Sequence, residues 1–221
     1  MSKPEIALVF TGDEFADGGS TILETLGKHR VKGSFFLTGN FYGNPKFRPL
    51  LRSLRKKGHY LGAHSDKHLL YADWVKRDSL LVTEDEFKHD MQENYKKMSE
   101  FGVRPQDAPW FIPPYEWYNG QVVNWSAEMG LQLINFSPGT RSTADYTYPG
   151  MGKSYRSSAE IYESIIRCAQ TDPNGLNGFI LLVHIGTDPR RTDKFYDKLD
   201  QLLTELKGMN YSFVSVKELL E

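Results

Sequence analysis

Two histidines four residues apart, His64 and His68, can offer imidazole nitrogens to one cation. On a helical turn that spacing brings both rings to one side, although by itself it equally describes two surface histidines near a loop. Asp13 and Glu14 are adjacent, so on an extended backbone their side chains diverge. One can then ligate a metal while the other faces a bound water, whereas a simple helix-entry pair would use the same two acids for the dipole. Asp17 competes for either role, but Asp17-Gly18-Gly19 reads as a turn in which the aspartate bonds its own backbone. His184 follows an apolar run and precedes Ile185-Gly186-Thr187-Asp188, a place where a histidine can move protons if other polar groups share its mouth. Metal ligation and proton transfer are the chemistry these residue types allow.

Such groups must be delivered by a framework, and the periodicity supplies one. Ile6–Phe10 reads as a buried strand, followed by a helix carrying Ile22, Leu23 and Leu26. Ser34–Leu37 is a second strand, before a helix that opens at Pro45 and closes at Gly58. Tyr60–Ala63 is a third. Thr83 with Glu86, and Ser157 with Glu160, form capping boxes ahead of apolar stripes at helical spacing. Trp110–Ile112, Leu131–Ile134, Phe179–Val183 and Tyr211–Val214 complete the strands, Asn119 opens a helix between the first two of these, and Phe195–Leu206 marks the last helix. Strands alternating with amphipathic helices of ~10–15 residues predict parallel βαβ units, about seven of each, and so an incomplete (β/α) barrel. The irregular stretch Phe136–Arg156 is long enough to carry function.

Catalytic groups in parallel α/β folds gather at the C-terminal ends of the strands. Here those ends read Thr11-Gly12-Asp13-Glu14, His64-Ser65-Asp66-Lys67-His68, Pro113-Pro114-Tyr115 and His184. The remaining histidines, His29, His59 and His89, lie on helices or ahead of a strand and read as surface residues.

The bulk properties narrow the class. With 27 basic and 28 acidic residues in 221, the chain has no electrostatic footprint for nucleic acid or an anionic membrane. No apolar run approaches the ~20 residues that span a bilayer. Met1-Ser2-Lys3-Pro4-Glu5 does not read as a signal peptide, which leaves a cytoplasmic protein or one whose signal has been trimmed. The single cysteine, Cys168, excludes an internal disulfide and a cysteine-based zinc site. The length suits one domain over residues 1–221. Oligomeric state leaves no signal.

Together these residues resemble the polysaccharide deacetylase family, carbohydrate esterase family four, whose members deacetylate chitin, peptidoglycan and xylan. Thr11-Gly12-Asp13-Glu14-Phe15 is similar to the family's Thr-Phe-Asp-Asp-Gly, and Gly33-Ser34-Phe35-Phe36-Leu37-Thr38-Gly39 to its second strand. His64-Ser65-Asp66-Lys67-His68 matches the His-Ser/Thr-x-x-His metal motif, Ile112-Pro113-Pro114-Tyr115 its Arg-Pro-Pro-Tyr, and Leu182-Val183-His184 its Leu-x-His. The motifs come in family order over roughly Ile6 to Val216. Three positions depart: Glu14 stands for an aspartate, Ile112 for the arginine that orients the catalytic aspartate, and the Asp-x-x-Asp-Trp segment has only Asp145-Tyr146-Thr147-Tyr148 as its nearest candidate. Arg141 and Lys153 of the long irregular stretch are the available substitute cations.

The resemblance implies a metal-dependent hydrolase that removes N-acetyl, and by extension O-acetyl, groups from a polysaccharide or oligosaccharide. Glu14, His64 and His68 would hold a divalent ion, zinc first, with cobalt, nickel or manganese as alternatives. Asp13 would be the base, the Tyr115 N–H an oxyanion donor, and His184 the acid that protonates the leaving group. Tyr71, Trp74, Trp117, Tyr146 and Tyr148 would stack on sugar rings, or else pack in the rim. Two other functions share this pattern: hydrolysis of a non-sugar amide, and glycan binding without turnover.

Overall fold

A computed structural model describes residues 4–221; of the N-terminal reading, Met1-Ser2-Lys3 lies outside them. The elements run β1 (Glu5–Gly12), α1 (Gly19–His29), β2 (Ser34–Leu37), α2 (Gly39–Gly43), α3 (Arg48–Lys56), β3 (Tyr60–Ala63), α4 (Glu84–Ser99) and β4 (Trp110–Phe111). They continue α5 (Gly120–Glu128), β5 (Gln132–Leu133), α6 (Ser158–Thr171), β6 (Phe179–His184), α7 (Leu199–Gly208), β7 (Ser212–Val214) and α8 (Val216–Leu220). Both predicted capping boxes form, and Asn119 accepts the Val122 amide at 3.1 Å to start α5.

All strand pairs are parallel, in the order β5-β4-β3-β2-β1-β6. β7 joins the lower half of β1 through Glu5–Ala7, while β2 takes the upper half from Val9 to Gly12. The end strands β5 and β6 do not pair. Between them Ser137 donates its amide to the Ile180 carbonyl and accepts the Ile180 amide on its hydroxyl, each at 3.0 Å. The sheet is therefore a curled, incomplete barrel.

Its strands are apolar on both faces, as parallel strands between helices and a barrel interior must be. The alternation still assigns the faces. Ile6, Leu8 and Phe10, with Phe35, Leu37, Leu61, Ala63, Phe111, Leu181 and Val183, pack against the helices in the larger core. Ala7, Val9, Phe36, Trp110, Ile112, Ile180 and Leu182 form a second cluster inside the curl, closed by Val216 of α8. Continuing the inward columns in steps of two residues reaches Thr11 and then Asp13 from β1, Thr38 from β2, His64 from β3 and His184 from β6. Gly12 belongs to the outward set, where a Cβ would sit 2.5 Å from Ile185 and 3.0 Å from Leu37. The barrel interior thus sets which side chains reach its mouth.

His59 does not lie on the surface. It is 5 % exposed, accepts the Gly33 amide on Nδ1 at 3.1 Å and meets Phe35 edge-on at 5.4 Å. Burial, aided by Lys32 and Lys57, lowers its pKa to about 4, so it remains a neutral core histidine. His29 is largely covered against Asp200 at 2.7 Å, and His89 is exposed. The stretch 136–156 contains two 3-10 segments, Ser142–Tyr146 and Pro149–Ser154. Fully buried Arg191 straps it down, donating to the carbonyls of Thr147 and Arg156 and to the Ser158 hydroxyl.

Candidate active site

A cleft of about 730 Å³ opens at the C-terminal ends of the strands. Asp13, Glu14, His64, His68, Tyr115 and His184 all line it, so the structure gathers the residues singled out from the sequence around one cavity.

His64 and His68 meet differently from the helical turn expected of their spacing. His64 ends the β3 column, Ser65 has φ +74° and His68 φ +56°, so the segment is a left-handed loop. Each such residue costs on the order of 1–3 kcal/mol unless neighbours hold it. The holders come from α4: Asn94 accepts the His64 amide at 3.0 Å, and Asp90 accepts those of Asp66 and Lys67, both at 2.9 Å. The two rings end 5.2 Å apart.

His64 is 3 % exposed and its Nδ1 lies 2.7 Å from the Ile112 carbonyl. A carbonyl only accepts, so Nδ1 carries the proton and Nε2 keeps its lone pair. Burial holds His64 well below the ordinary imidazole pKa, with His68 adding to the effect. Burial lowers His68 as well, against the opposing pull of Asp13. Two neutral imidazoles are the form a divalent ion requires.

Asp13 accepts the Thr38 hydroxyl at 2.7 Å and the Asn40 amide at 3.1 Å, both on Oδ1. Ile112 is fully buried among the inner apolar residues and offers no cation. Arg141 and Lys153 are exposed, and neither pairs with Asp13. Neutral donors on the β2 end therefore orient Asp13 where the resemblance leads one to look for an arginine. Asp17 is fully engaged elsewhere: Lys194, the Tyr196 hydroxyl and the Thr187 amide each approach it at 2.8 Å. Burial alone would raise its pKa, but these partners lower it, so Asp17 is an ionised loop anchor.

The donor set suits a zinc-like ion in part. The His64 and His68 imidazoles, the second Asp13 oxygen and the buried, unpartnered Thr11 hydroxyl belong to one cleft. Among the described residues, however, no three His, Cys, Asp or Glu side chains converge as a ready-made ligand set. Glu14 is exposed and lines both this cleft and the neighbouring groove of about 900 Å³.

On the opposite wall, His184 donates its ring Nδ1 to Asp145 Oδ1 at 2.6 Å and its amide to Oδ2 at 2.8 Å. Burial pushes the ring toward its neutral form, but the charge and hydrogen bond of Asp145 outweigh it, and the net pKa is raised. Asp145 was legible only as the nearest candidate for a missing motif; its place in the long irregular stretch was the available signal. Tyr115 and Glu116 have φ +59° and +53°, set by the Pro113-Pro114 turn. The Glu116 and Trp117 amides are bonded back to Pro113 and Pro114, at 3.0 and 3.2 Å, whereas that of Tyr115 has no partner among the described residues. The free donor is Tyr115 N–H.

The aromatics divide. Tyr71 is fully buried, bonded to Asp90 and packed on Phe87, so it is a core residue rather than a sugar platform. Trp117 is half-buried, with Arg77 over its ring at 4.2 Å. Trp74, Tyr146 and Tyr148 line the cleft, and Trp74 is 53 % exposed with its ring edge-on to Tyr115 at 5.5 Å. No helix among the described residues is long and apolar enough to cross a membrane.

This chain belongs to the polysaccharide deacetylase family, whose model matches residues 1–134. It is 28 % identical over 220 residues to the peptidoglycan-N-acetylmuramic acid deacetylase PdaA of Bacillus subtilis, covering 98 % of this chain and 72 % of that protein. Relatives differ in length: the chain spans 39 % of the peptidoglycan-N-acetylglucosamine deacetylase PgdA of Listeria monocytogenes and 89 % of a peptidoglycan-N-acetylglucosamine deacetylase of Bacillus cereus. The fold resembles BA3943, a CE4 family pseudoenzyme from Bacillus anthracis, with TM-score 0.74, 19 % identity and coverage of 100 % and 66 % of the two chains. It also resembles a family 4 acetyl xylan esterase from Clostridium thermocellum in complex with cobalt, with TM-score 0.73, 20 % identity and coverage of 97 % and 89 %. The family thus contains both carbohydrate deacetylases and pseudoenzymes.

Proposed function

We propose that residues 1–221 form one catalytic domain that hydrolyses acetyl groups, N-acetyl foremost, from an oligosaccharide or polysaccharide with the help of a divalent metal ion. The observation that carries this reading is the pairing of two neutral imidazoles, His64 and His68, with the His184–Asp145 pair in one cleft. His64 and His68 would hold the ion, with a carboxylate from Glu14. When bound, such an ion polarises a carbonyl and acidifies a water. Asp13, oriented by Thr38 and Asn40, takes the proton of the attacking water as the new C–O bond forms. The Tyr115 amide donates to the oxyanion. His184, its pKa raised by Asp145 against the effect of burial, gives a proton to the departing nitrogen as the C–N bond breaks, leaving acetate and an amine. Trp74 and Tyr146, exposed at the mouth, offer faces for sugar rings.

Acetate release from N-acetylglucosamine oligomers, with zinc or cobalt supplied, tests the reading; His184→Ala should reduce it by about 10²-fold or more.

One observation favours a second reading, glycan binding without turnover. Glu14 stands exposed and outside any converged ligand set, and the family includes a pseudoenzyme. Binding of the same oligomers without acetate release at any metal loading would select it.

A further inference from the structure

Glu116 is a carboxylic acid in the cleft for which the proposed chemistry has no use. It follows Tyr115 in the turn after β4 and lines the cleft with His184 and Tyr146. Its backbone is left-handed, φ +53°, a conformation that glycine adopts freely and a glutamate does not. The position is clamped: the Glu116 amide donates to the Pro113 carbonyl at 3.0 Å, and its own carbonyl accepts the Asn135 side-chain amide at 2.9 Å. A strained backbone carrying a side chain into a cleft motivates a search for the side chain's role.

The carboxyl has no hydrogen-bond donor among the described residues. Burial pushes it up to about 7, partly offset by His184 and reinforced by Asp145. A group in this state satisfies its hydrogen bonds with whatever enters the cleft.

The charges around it define what can enter. Among the described residues, Asp13, Glu14, Glu116 and Asp188 line the cleft, and no Lys or Arg does. Asp188 is neutralised by Arg190 at the rim. A divalent ion at His64 and His68 would be offset by Asp13 and Glu14. His184 is already paired with Asp145. Glu116 has no ion-pair partner of its own among the described residues, and above about pH 7, where it is ionised, it would repel an anion bound beside the leaving-group acid.

We propose that Glu116 is a specificity-determining residue, which admits N-acetylated sugars that are neutral or amine-bearing next to the scissile amide and rejects those with a carboxylate there. The excluded class includes N-acetylmuramic acid with a free lactyl group, whose carboxylate is carried by an ether on the ring carbon next to the one bearing the acetamide. This inference rests on the carbohydrate reading of the cleft.

The test measures binding and turnover separately. Tryptophan fluorescence reads the affinity of N-acetylglucosamine oligomers and of otherwise matched oligomers containing unsubstituted N-acetylmuramic acid, and acetate release is assayed alongside. At about pH 8.5, where Glu116 is ionised, wild-type protein should bind the neutral oligomer at least about tenfold more tightly by like-charge exclusion in the cleft, and the preference should fade below about pH 7. Glu116→Gln, which keeps the shape and removes the charge, should reduce the preference to within about threefold by tightening the carboxylate-bearing ligand. Glu116→Gly, which suits the left-handed backbone, should do the same while melting no lower than wild type. A purely structural role would leave the preference unchanged in both variants, and that result overturns the proposal. Equal wild-type binding of the two oligomers, or no binding of either, overturns it too. Selective binding without acetate release would contradict the deacetylase reading and leave the selectivity standing.

Discussion

Asp145 grips His184 twice, through the ring Nδ1 at 2.6 Å and the backbone amide at 2.8 Å, so one carboxylate fixes both the tautomer and the position of the imidazole. The ring's Nε2 is left to face the cleft. Because the carboxylate raises the His184 pKa, the folded state binds the proton more tightly than the unfolded chain. The resulting stabilisation is complete below the unfolded value near 6.5 and disappears as pH rises through the raised folded value. Asp145→Asn should therefore lower the His184 pKa in an NMR titration and reduce turnover by about 10²-fold. Its destabilisation should be greatest below about pH 6.5 and smaller in alkaline solution. A His184 pKa unmoved by the substitution would contradict this role.

Thr38 serves two partners. Its hydroxyl donates to Asp13 and accepts the Phe41 amide at 3.1 Å, capping α2. Thr38→Val should cost about 1 kcal/mol through the lost cap and about tenfold in kcat through a misoriented base, with KM little changed. Thr38→Ser restores the hydroxyl and should recover both, as read by thermal melting and steady-state kinetics. If Thr38→Val keeps full activity, Asp13 does not depend on this hydrogen bond.

His64 and His68, the proposed metal ligands, should separate in their effect on folding. Exposed loop residues would both be dispensable to the fold, but His64 is buried and donates to Ile112, whereas His68 is only partly buried. His64→Ala should lose metal and about 1–3 kcal/mol of stability by orphaning a buried carbonyl. His68→Ala should lose metal with a smaller change in melting. Metal content by mass spectrometry and melting of the metal-free proteins check this; equal destabilisation would contradict it.

The two acids after β1 should also separate. Asp13→Asn is expected to abolish turnover with the ion retained, and Glu14→Gln to weaken the ion. Titration of each variant with cobalt, read by its visible spectrum, distinguishes them. The reverse pattern would assign the ligand role to Asp13, whose second oxygen has no partner among the described residues.

Much of this was readable from the chain. Strand order along the sequence, both capping boxes and the polar clusters at the strand ends follow from periodicity and local chemistry, which act over a few residues. What local pattern could not supply was the inward face of each strand. When both faces are apolar, as in Ile6–Phe10 and Phe179–Val183, alternation of hydrophobicity vanishes and the columns leading to Asp13 and His184 become visible only after folding. The left-handed loop at Ser65 and His68 was hidden for a related reason. Its hydrogen bonds come from Asp90 and Asn94 on α4, residues remote in sequence. His59 looked like a surface histidine because its partner, the Gly33 amide, lies across the sheet. Asp145 escaped firm assignment since its pairing with His184 spans a connection with no regular pattern.

The central claim is metal-dependent removal of acetyl groups, and metal-dependent acetate release tests it most directly. Wild-type protein stripped with a chelator should release no acetate from N-acetylglucosamine oligomers, recover on stoichiometric zinc or cobalt, and fail to recover in His68→Ala. Undiminished release after stripping, or none at any metal loading from protein that still binds the oligomers, would contradict the account.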